Sequence, residues 1–190
     1  IIDYGAIEEI NRIAKAEKFG KRLLIVSDEN TEAVLGKRVD MLLTEDYDCE
    51  HIVLPGDVKP TEEAVRNING RVAGCDGIVA VGSGTINDIC KYASFAQHKP
   101  YIICATAPSM NGYLSANASI VINGHRQSIP AHLPSAVIMD LEIIGGAPER
   151  LIQSGFGDLL CRSTAQADWL MSHLVFGSEY SETPFLLMES

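Results

Sequence analysis

The sequence predicts an α/β protein: a Rossmann-like parallel sheet covered by helices, followed by the start of an all-helical domain. Short apolar runs alternate with amphipathic segments of helical period over residues 1–147, and the connections between them are short. From Pro148 onward the pattern is helical and carries no strand signal. Alternation of this kind favours parallel strands, because each crossover helix returns the chain to the same end of the sheet.

The first half of the chain supplies four strands and four helices. The predicted strands are 23–26, 52–54, 78–81 and 101–105. The predicted helices are 6–19, a second through Val34, Val39 and Leu42, a third after Thr61, and a fourth from 84 to about 97. Gly20 provides a stop signal for the first helix. Thr61 is a suitable cap for the third, because acids follow at Glu62 and Glu63, where the helix dipole favours them.

The alternation of strand and helix patterns ends after Pro108. Residues 119–122 and 126–129, separated by Asn123-Gly124, predict a hairpin with a type I′ turn. One more short strand is predicted at 136–139. The Gly145-Gly146-Ala147-Pro148 sequence interrupts the pattern and places a domain boundary near 145–148. The predicted domains are therefore 1–147, the α/β domain, and 148–190, the beginning of a helical domain.

Composition excludes several classes of protein. The 190 residues carry a net charge of −10, which argues against nucleic acid as a partner. No apolar run reaches the roughly 18 residues that a membrane span needs. The five cysteines form no C-x-x-C pair, and most lie in apolar runs, so we expect reduced thiols and a cytoplasmic protein.

A glycine turn is the first candidate site. Gly82-Ser83-Gly84-Thr85 follows a buried strand and opens a helix, where free N–H groups and the helix dipole favour a phosphate. The third glycine of the dinucleotide fingerprint is replaced by Asn87, and no lysine of a P-loop follows. From the motif alone, a phosphate site and an ordinary tight turn are about equally well supported.

Three further positions are weaker candidates. Asp28 ends the first buried strand, where an acid can hold a ribose hydroxyl, although a solvated turn acid is the commoner role. The loop 106–113 follows a buried strand at the end of a sheet where ligands bind, and turn residues are also common in ordinary loops. Asp158 stands between apolar residues, where a helix N-terminal acid is the commoner interpretation. His173 would lie about 22 Å farther along the same helix, too far to share a metal with Asp158.

Four motifs give the chain a resemblance to a known family. They are Gly82-Ser83-Gly84-Thr85-Ile86-Asn87-Asp88, Thr106-Ala107-Pro108-Ser109-Met110, Pro130-Ala131-His132 and Gly155-Phe156-Gly157-Asp158-Leu159-Leu160. In this order they resemble the sn-glycerol-1-phosphate dehydrogenases, within the superfamily of glycerol dehydrogenase, iron-containing alcohol dehydrogenase and dehydroquinate synthase. The resemblance runs from about residue 4 to the last residue and matches the N-terminal portion of the family.

The resemblance implies an NAD(P)-binding domain, a helical metal-binding domain and a cleft between them. The implied cofactor-binding residues are Gly82, Ser83, Gly84, Thr85, Ile86, Asn87, Asp88, Thr106, Ser109 and Ser115, to which the strand-end argument adds Asp28. The implied metal ligand and catalytic residue is Asp158, and the substrate would lie against Asn111 and Asp158. The metal would be divalent, zinc first, with iron or nickel as alternatives, and would polarise the carbonyl of dihydroxyacetone phosphate during hydride transfer from NADH or NADPH.

Two departures from the family leave alternatives open. The family usually has an aspartate where this chain has Asn111, which leaves the exact substrate open. Its two metal-binding histidines lie beyond position 190, so this chain supplies one ligand and we expect it to be inactive alone. The alternatives are a stand-alone nucleotide-binding module, a glycerol dehydrogenase, or an enzyme like dehydroquinate synthase. In each case the partner is a small molecule, and we expect a homo-oligomer.

Overall fold

The computed structural model describes residues 1–189, and the side chains up to residue 186. The strands are β1 (Ile2–Asp3), β2 (Arg22–Asp28), β3 (Asp48–Leu54), β4 (Gly77–Gly82), β5 (Tyr101–Ala105), β6 (Asn117–Ile122), β7 (His125–Pro130) and β8 (Ala136–Asp140). The helices are α1 (Ile10–Ala16), α2 (Glu29–Thr31), α3 (Lys37–Leu43), α4 (Glu62–Gly74), α5 (Gly84–Ala96), α6 (Leu141–Gly145), α7 (Glu149–Phe176) and α8 (Thr183–Glu189).

Six strands form one sheet in the order β1-β8-β5-β4-β2-β3, and every neighbouring pair is parallel. Helices cover both faces. Alternate strand residues, such as Leu24 and Ile78, pack against α4, α5 and the hairpin β6–β7, while Leu23 and Val79 pack against α1 and α3. Burial on both faces explains why the central strands are apolar throughout. The predicted α/β fold class is confirmed.

The strand order reverses between β2 and β4. After β2 the chain crosses outward to the edge strand β3, and after β4 it crosses the other way to β5. The connections that leave β2 and β4 therefore diverge and open a crevice at their carboxyl ends. Crevices of this kind are where open α/β sheets bind ligands. Asp28 and Gly82 end the two strands at this point.

Locally encoded features match their predictions. The Thr61 hydroxyl accepts a hydrogen bond from the Ala64 amide at 3.2 Å and caps α4. Asn123 and Gly124 both have positive φ, at 51° and 79°, as the type I′ turn between β6 and β7 requires. Each of these features depends only on residues that are neighbours in sequence, Thr61 with Ala64 and Asn123 with Gly124. They therefore form without contacts from the rest of the fold.

Two helix predictions need correction. The segment predicted as one helix over 6–19 is a 3₁₀ turn at Ala6–Glu9 followed by α1. The helix ends through Lys18, which has φ of 58°, while Gly20 keeps ordinary backbone angles, so Gly20 is not the stop. A side chain at Gly20 would instead collide with Asp76. The second predicted helix is divided by a π-turn at Glu32–Gly36, which leaves Val34 exposed.

Helix α7 is the longest element, at 28 residues. It begins directly after Pro148, in agreement with the helical pattern, and the division into domains at 145–148 stays a prediction. Among residues 1–189, no helix combines the length and apolar character needed to cross a bilayer. Cys75, Cys90 and Cys104 are buried, Cys49 is partly buried and Cys161 is exposed on α7, and none is in a disulfide.

Candidate functional site

The glycine turn forms a narrow corner between β4 and α5. Gly82 is buried, and a Cβ atom there would lie 2.7 Å from Cβ of Ile86, so the turn needs glycine. Ser83 is the N-cap residue, but its side chain makes no capping hydrogen bond. The amides of the first helical residues, Gly84 to Ile86, precede the first i→i−4 bond, which Asn87 donates to Ser83 O at 3.0 Å. These N–H groups are therefore available to a ligand at the partly exposed mouth of the turn.

The predicted cofactor residues on α5 divide between surface and core. Thr85 is partly exposed beside Gly84, whereas the Ile86 side chain packs in the core. Asn87 and Asp88 are buried in the first turn of the helix, and the Asn87 amide donates to Asp88 Oδ1 at 3.4 Å. The Asn87 carboxamide oxygen is buried without a protein partner. Ile86 and Asn87 could therefore meet a ligand only through their backbone.

Asp28 serves as the cap of α2. Its Oδ1 accepts hydrogen bonds from the amides of Asn30 and Thr31, at 2.9 and 2.8 Å. The Thr31 hydroxyl contacts the Asp28 amide in return and donates to Val81 O at 2.9 Å, which joins the carboxyl ends of β2 and β4. No hydrogen bond to Oδ2 of Asp28 is found among the described residues.

The loop after β5 lies against the glycine turn. The Thr106 amide donates to Gly82 O at 3.2 Å, and the Tyr113 hydroxyl donates to Ala107 O at 2.6 Å across the loop. Ser109 is partly exposed, and Ser115 exchanges hydrogen bonds with the backbone of Asn117. The structure thus brings Thr106 next to the turn and places Ser109 and Ser115 along the loop that follows.

A cleft of about 290 Å³ opens beside this loop. Its lining comprises Asp88, Met110, Asn111, Gly112, Ser115, Asn117, Ala118, Ser119, Arg126, Ser128 and Asp158. It therefore joins four predicted site residues, Asp88, Asn111, Ser115 and Asp158. A larger cavity of about 430 Å³ lies at the opposite, amino-terminal edge of the sheet, around Arg22 and Cys49, and contains none of the candidates.

Asp158 closes one side of the cleft. Its Oδ2 accepts a hydrogen bond from the Asn111 amide at 2.7 Å. The expectation that Asp158 stands near a helix N-terminus is wrong, because α7 begins nine residues earlier, at Glu149. Gly155 and Gly157 lie inside α7. A glycine inside a helix costs only about 1 kcal/mol relative to alanine, which the preceding good helix formers offset.

Gly155 allows α7 to approach the loop. A Cβ atom at this position would overlap the carbonyl oxygen of Pro108. Because the obstacle is backbone, no rotamer change could relieve the overlap. The close contact brings Asp158, one turn farther along α7, to the Asn111 amide.

Lys91 is a site residue that the sequence analysis missed. It is fully buried on α5, and its ammonium group donates to Gly112 O at 3.0 Å and to Asn117 O at 3.2 Å. These carbonyls bracket the turn that carries Ser115. Burial lowers the pKa of Lys91, and Asp88 three residues earlier opposes that shift; burial likewise raises the pKa of Asp88. The available signal was a lysine at a core-facing position of an amphipathic helix.

His132, from the third family motif, lies beside the rings of Phe95 on α5 and Tyr101 on β5. Its Nε2 lies 2.7 Å from the Ser94 hydroxyl, which donates its only hydrogen to Lys91 O at 2.8 Å. Nε2 must therefore carry the proton and donate to Ser94. Burial, followed by the charge of Lys91, lowers the pKa of His132.

The family resemblance implies one metal ligand in the cleft, Asp158. Within residues 1–189, no three His, Cys, Asp or Glu side chains converge on a point that could hold a metal ion. His173 lies on α7, near the end of that helix, and contacts the Ser178 carbonyl rather than the cleft. Asp158 alone does not fit the ligand set of a catalytic divalent metal, which takes about three protein ligands.

Comparison with known proteins agrees with the fold and the motifs. The model of the iron-containing alcohol dehydrogenase family matches residues 1–148. The glycerol-1-phosphate dehydrogenase [NAD(P)+] of Bacillus licheniformis is 33% identical over 183 residues, covering 94% of this chain and 45% of that protein. The enzyme of the same name from Pyrococcus furiosus is 34% identical over 186 residues, covering 96% and 52%.

Solved structures share the same fold. Glycerol dehydrogenase from Schizosaccharomyces pombe superimposes with a TM-score of 0.77 at 21% identity, over 91% of this chain and 44% of that one. The chain thus spans about half the length of the curated relatives it matches. With a family model that extends over most of its length and a fold that agrees, this chain belongs to the iron-containing alcohol dehydrogenase family.

Proposed function

We propose that the crevice between β2 and β4 binds NADH or NADPH, with the pyrophosphate on the turn from Gly82 to Thr85. The observation that carries this proposal is the uncapped start of α5 at the point where strand order reverses. Its free amides are donors for phosphate oxygens, and the helix dipole adds a favourable field. The NAD(P)+ in the names of the relatives supports the same assignment.

The rest of the cofactor would follow the two strands. Oδ2 of Asp28, free of the capping bonds, is suited to a ribose hydroxyl at the end of β2. Thr106 and Ser109 follow β5 on the other side of the turn, and Ser115 lines the cleft beyond them. The carboxamide oxygen of Asn87, in the first turn of α5, is buried without a hydrogen-bond partner, which costs free energy of folding. Buried polar atoms left without a partner are rare in proteins and are often found at functional sites.

The reaction we propose is the reduction of dihydroxyacetone phosphate, in which the carbonyl carbon takes a hydride from NADH or NADPH and the carbonyl oxygen takes a proton from solvent, giving sn-glycerol 1-phosphate and NAD+ or NADP+. Asn111 and Asp158 face the cleft where the substrate would lie. We propose that Asp158 would be one ligand of a divalent metal, whose other ligands the described residues do not supply, and which would polarise the substrate carbonyl. Because the described residues supply no complete ligand set, we propose that the 190-residue chain has no dehydrogenase activity by itself.

Other functions of the superfamily remain as alternatives. Asn111 stands where the resemblance leads us to expect an acid, so glycerol or another polyol is the second candidate substrate class. The single ligand also favours a nucleotide-binding module as the alternative role of this chain alone. We further propose that the protein works as a cytoplasmic homo-oligomer.

Isotope-labelled chain titrated with NADH tests the cofactor site. We expect saturable amide shifts at residues 82–86 and 28–31, because these segments border the crevice. The same shifts with NADPH would show that both cofactors enter it. Saturable binding with shifts elsewhere, or no binding at millimolar NADH, would overturn the proposal.

A further inference from the structure

The hairpin β6–β7 has two chemically different faces. In its register Ser119 pairs with Ser128, and Val121 pairs with Arg126. Side chains two residues apart share a face, so Ser119, Arg126 and Ser128 lie together. All three line the cleft, whereas Ile120 on the other face is buried in the core. The core burial fixes the register and therefore fixes the polar face toward the cleft.

Arg126 is the one cationic side chain among the residues that line this cleft. Its Nε donates to the Ser119 hydroxyl at 2.6 Å, which orients the guanidinium across the hairpin. Within the described part of the chain no carboxylate lies within ion-pair distance of Arg126, unlike Arg22 and Arg71, which pair with Asp76 and Glu50. Its two terminal nitrogens therefore make no ion pair, although the charge of Arg126 is near enough to Asp88 to oppose the rise in that carboxyl's pKa.

The surrounding charges leave room for an anion at this place. Asp88 and Asp158 contribute two negative groups to the cleft, and Arg126 contributes a positive one. The ammonium of Lys91 lies behind the wall, near enough to Asp88 to counteract the rise in its pKa. The two negative charges of Asp88 and Asp158 are matched by the two positive charges of Arg126 and Lys91. The acids near the cleft therefore do not outnumber the basic groups, and the exposed guanidinium can attract an anion.

We propose that Arg126, with the hydroxyls of Ser119 and Ser128, forms a subsite for the phosphate monoester of the substrate. The planar guanidinium presents paired N–H donors that match phosphate oxygens, and the serines add neutral donors. This subsite differs from the pyrophosphate turn, because Gly82 to Thr85 do not line the cleft whereas Asn111 and Asp158 do. It would select phosphorylated three-carbon substrates over free polyols. The inference rests on the proposed function, since it assigns the cleft to substrate.

A phosphate monoester could also come from the 2′-phosphate of NADPH, so the experiment compares both sources. The chain is titrated with sn-glycerol 1-phosphate, glycerol, NADH and NADPH, followed by amide shifts. We expect sn-glycerol 1-phosphate to shift residues 117–119 and 126–128, glycerol to bind far more weakly, and saturating NADH to leave the phosphate site free.

The variants Arg126→Gln and Ser128→Ala test the residues. Loss of the charge should weaken sn-glycerol 1-phosphate about tenfold or more and leave NADH affinity unchanged. Arg126→Lys should recover only part of the loss. Arg66→Gln removes the same charge from an exposed position on α4 and is the control, with no expected effect. Circular dichroism confirms that each variant is folded.

Three results would overturn the subsite. They are glycerol binding as tightly as its phosphate, Arg126→Gln weakening only NADPH, and perturbations at residues 82–86 instead of the hairpin. If Arg126→Gln does not fold, the amide shifts that sn-glycerol 1-phosphate causes in the parent chain and the affinity of Ser128→Ala for this ligand test the subsite instead. A parent that binds sn-glycerol 1-phosphate at the hairpin without binding NADH would contradict the proposed cofactor site and leave the phosphate subsite standing.

Discussion

The Asn111 amide and Oδ2 of Asp158 form a 2.7 Å hydrogen bond that joins the loop after β5 to the middle of α7. The bond spans 47 positions of sequence. It gives the Asn111 amide a partner, and Asp158 at the same time lines the cleft. Asp158 therefore has a structural contact within this chain in addition to the metal role we propose for it.

Asp158→Asn should separate these two roles. The amide oxygen can still accept the Asn111 N–H, so we expect a loss of about 1 kcal/mol or less in the free energy of unfolding, whereas Asp158→Ala should lose more. Titration calorimetry with Zn²⁺ should show only weak binding by the parent chain, because one carboxylate does not chelate. Stoichiometric zinc that disappears in Asp158→Asn would contradict the single-ligand description.

Gly84→Val should weaken NADH binding at least about tenfold. A branched side chain there would fill the space in front of the amides at the start of α5. The fold should tolerate the change, since the nearest atom to a Cβ at this position is the flexible Met110 sulfur, at 3.1 Å. Gly70→Val on α4, where a Cβ meets nothing within 4 Å, is the matched control. Calorimetry showing equal NADH affinity in both variants would exclude the turn as the site.

Lys91→Met should lower the free energy of unfolding by about 2 kcal/mol, because the carbonyls of Gly112 and Asn117 lose their donor. Urea denaturation measures this loss. Hydrogen exchange should also speed up at residues 112–117 before global unfolding. Lys37→Met, at an exposed position on α3, should change stability by about 0.5 kcal/mol or less. Unchanged exchange in the 112–117 turn would show that Lys91 does not hold it.

His132 should make stability fall as the solution becomes acidic. Its pKa in the folded chain lies below the ordinary 6.5, so the unfolded chain binds the proton first as the pH drops. Stability is therefore lost from about pH 7 downward until the folded-state pKa is reached. His132→Gln retains an N–H donor for Ser94 but does not titrate. The parent-minus-variant difference in the free energy of unfolding, measured by urea titration between pH 7 and 5, should decrease; a constant difference would refute the assignment.

The exposed apolar side chains of α7 should cause self-association. Leu174 and Phe176 are 75% and 82% exposed, and Leu159 and Leu160 lie exposed on the same helix. Sedimentation velocity should show concentration-dependent oligomers of the parent. The double variant Leu174→Glu, Phe176→Glu should shift them toward monomer, whereas Val34→Glu, at an apolar residue that is exposed on another surface, should not. A parent that stays monomeric at high concentration would contradict this.

The elements that sequence predicted best are those encoded by neighbours in sequence. Thr61 caps its own helix, and Asn123-Gly124 provides its own turn conformation. The start of α7 was also clear from Pro148, but Asp158, between apolar residues nine positions into the helix, was interpreted as a helix N-terminal acid. Glycine suggests a break unless the contact that requires it is known, and that contact lies on Pro108, far away in sequence.

The candidate site was predictable only where a motif marks it. The glycine turn could be found because its role depends on backbone amides at a strand–helix junction. The core-facing position of Lys91 was visible in the helical pattern, but the roles of Lys91 and Arg126 were not, since these depend on which distant carbonyls or hydroxyls the fold places beside them. A lysine on a helix and an arginine on a hairpin are both ordinarily exposed to solvent. Residue type alone therefore predicts that both side chains lie at the protein surface and have no specific partner.

The absence of a Cβ atom at Gly155 sets the width of the cleft. At position 155 any side chain would meet the Pro108 carbonyl, and the helix would have to retreat or the peptide would have to rotate. Either movement would draw Asp158 away from Asn111 without altering a single side chain in the cleft. The glycine at position 155 thus allows the backbones of α7 and of the loop after β5 to lie in direct contact. A substitution there would change the distance between the two walls while their chemistry stayed the same.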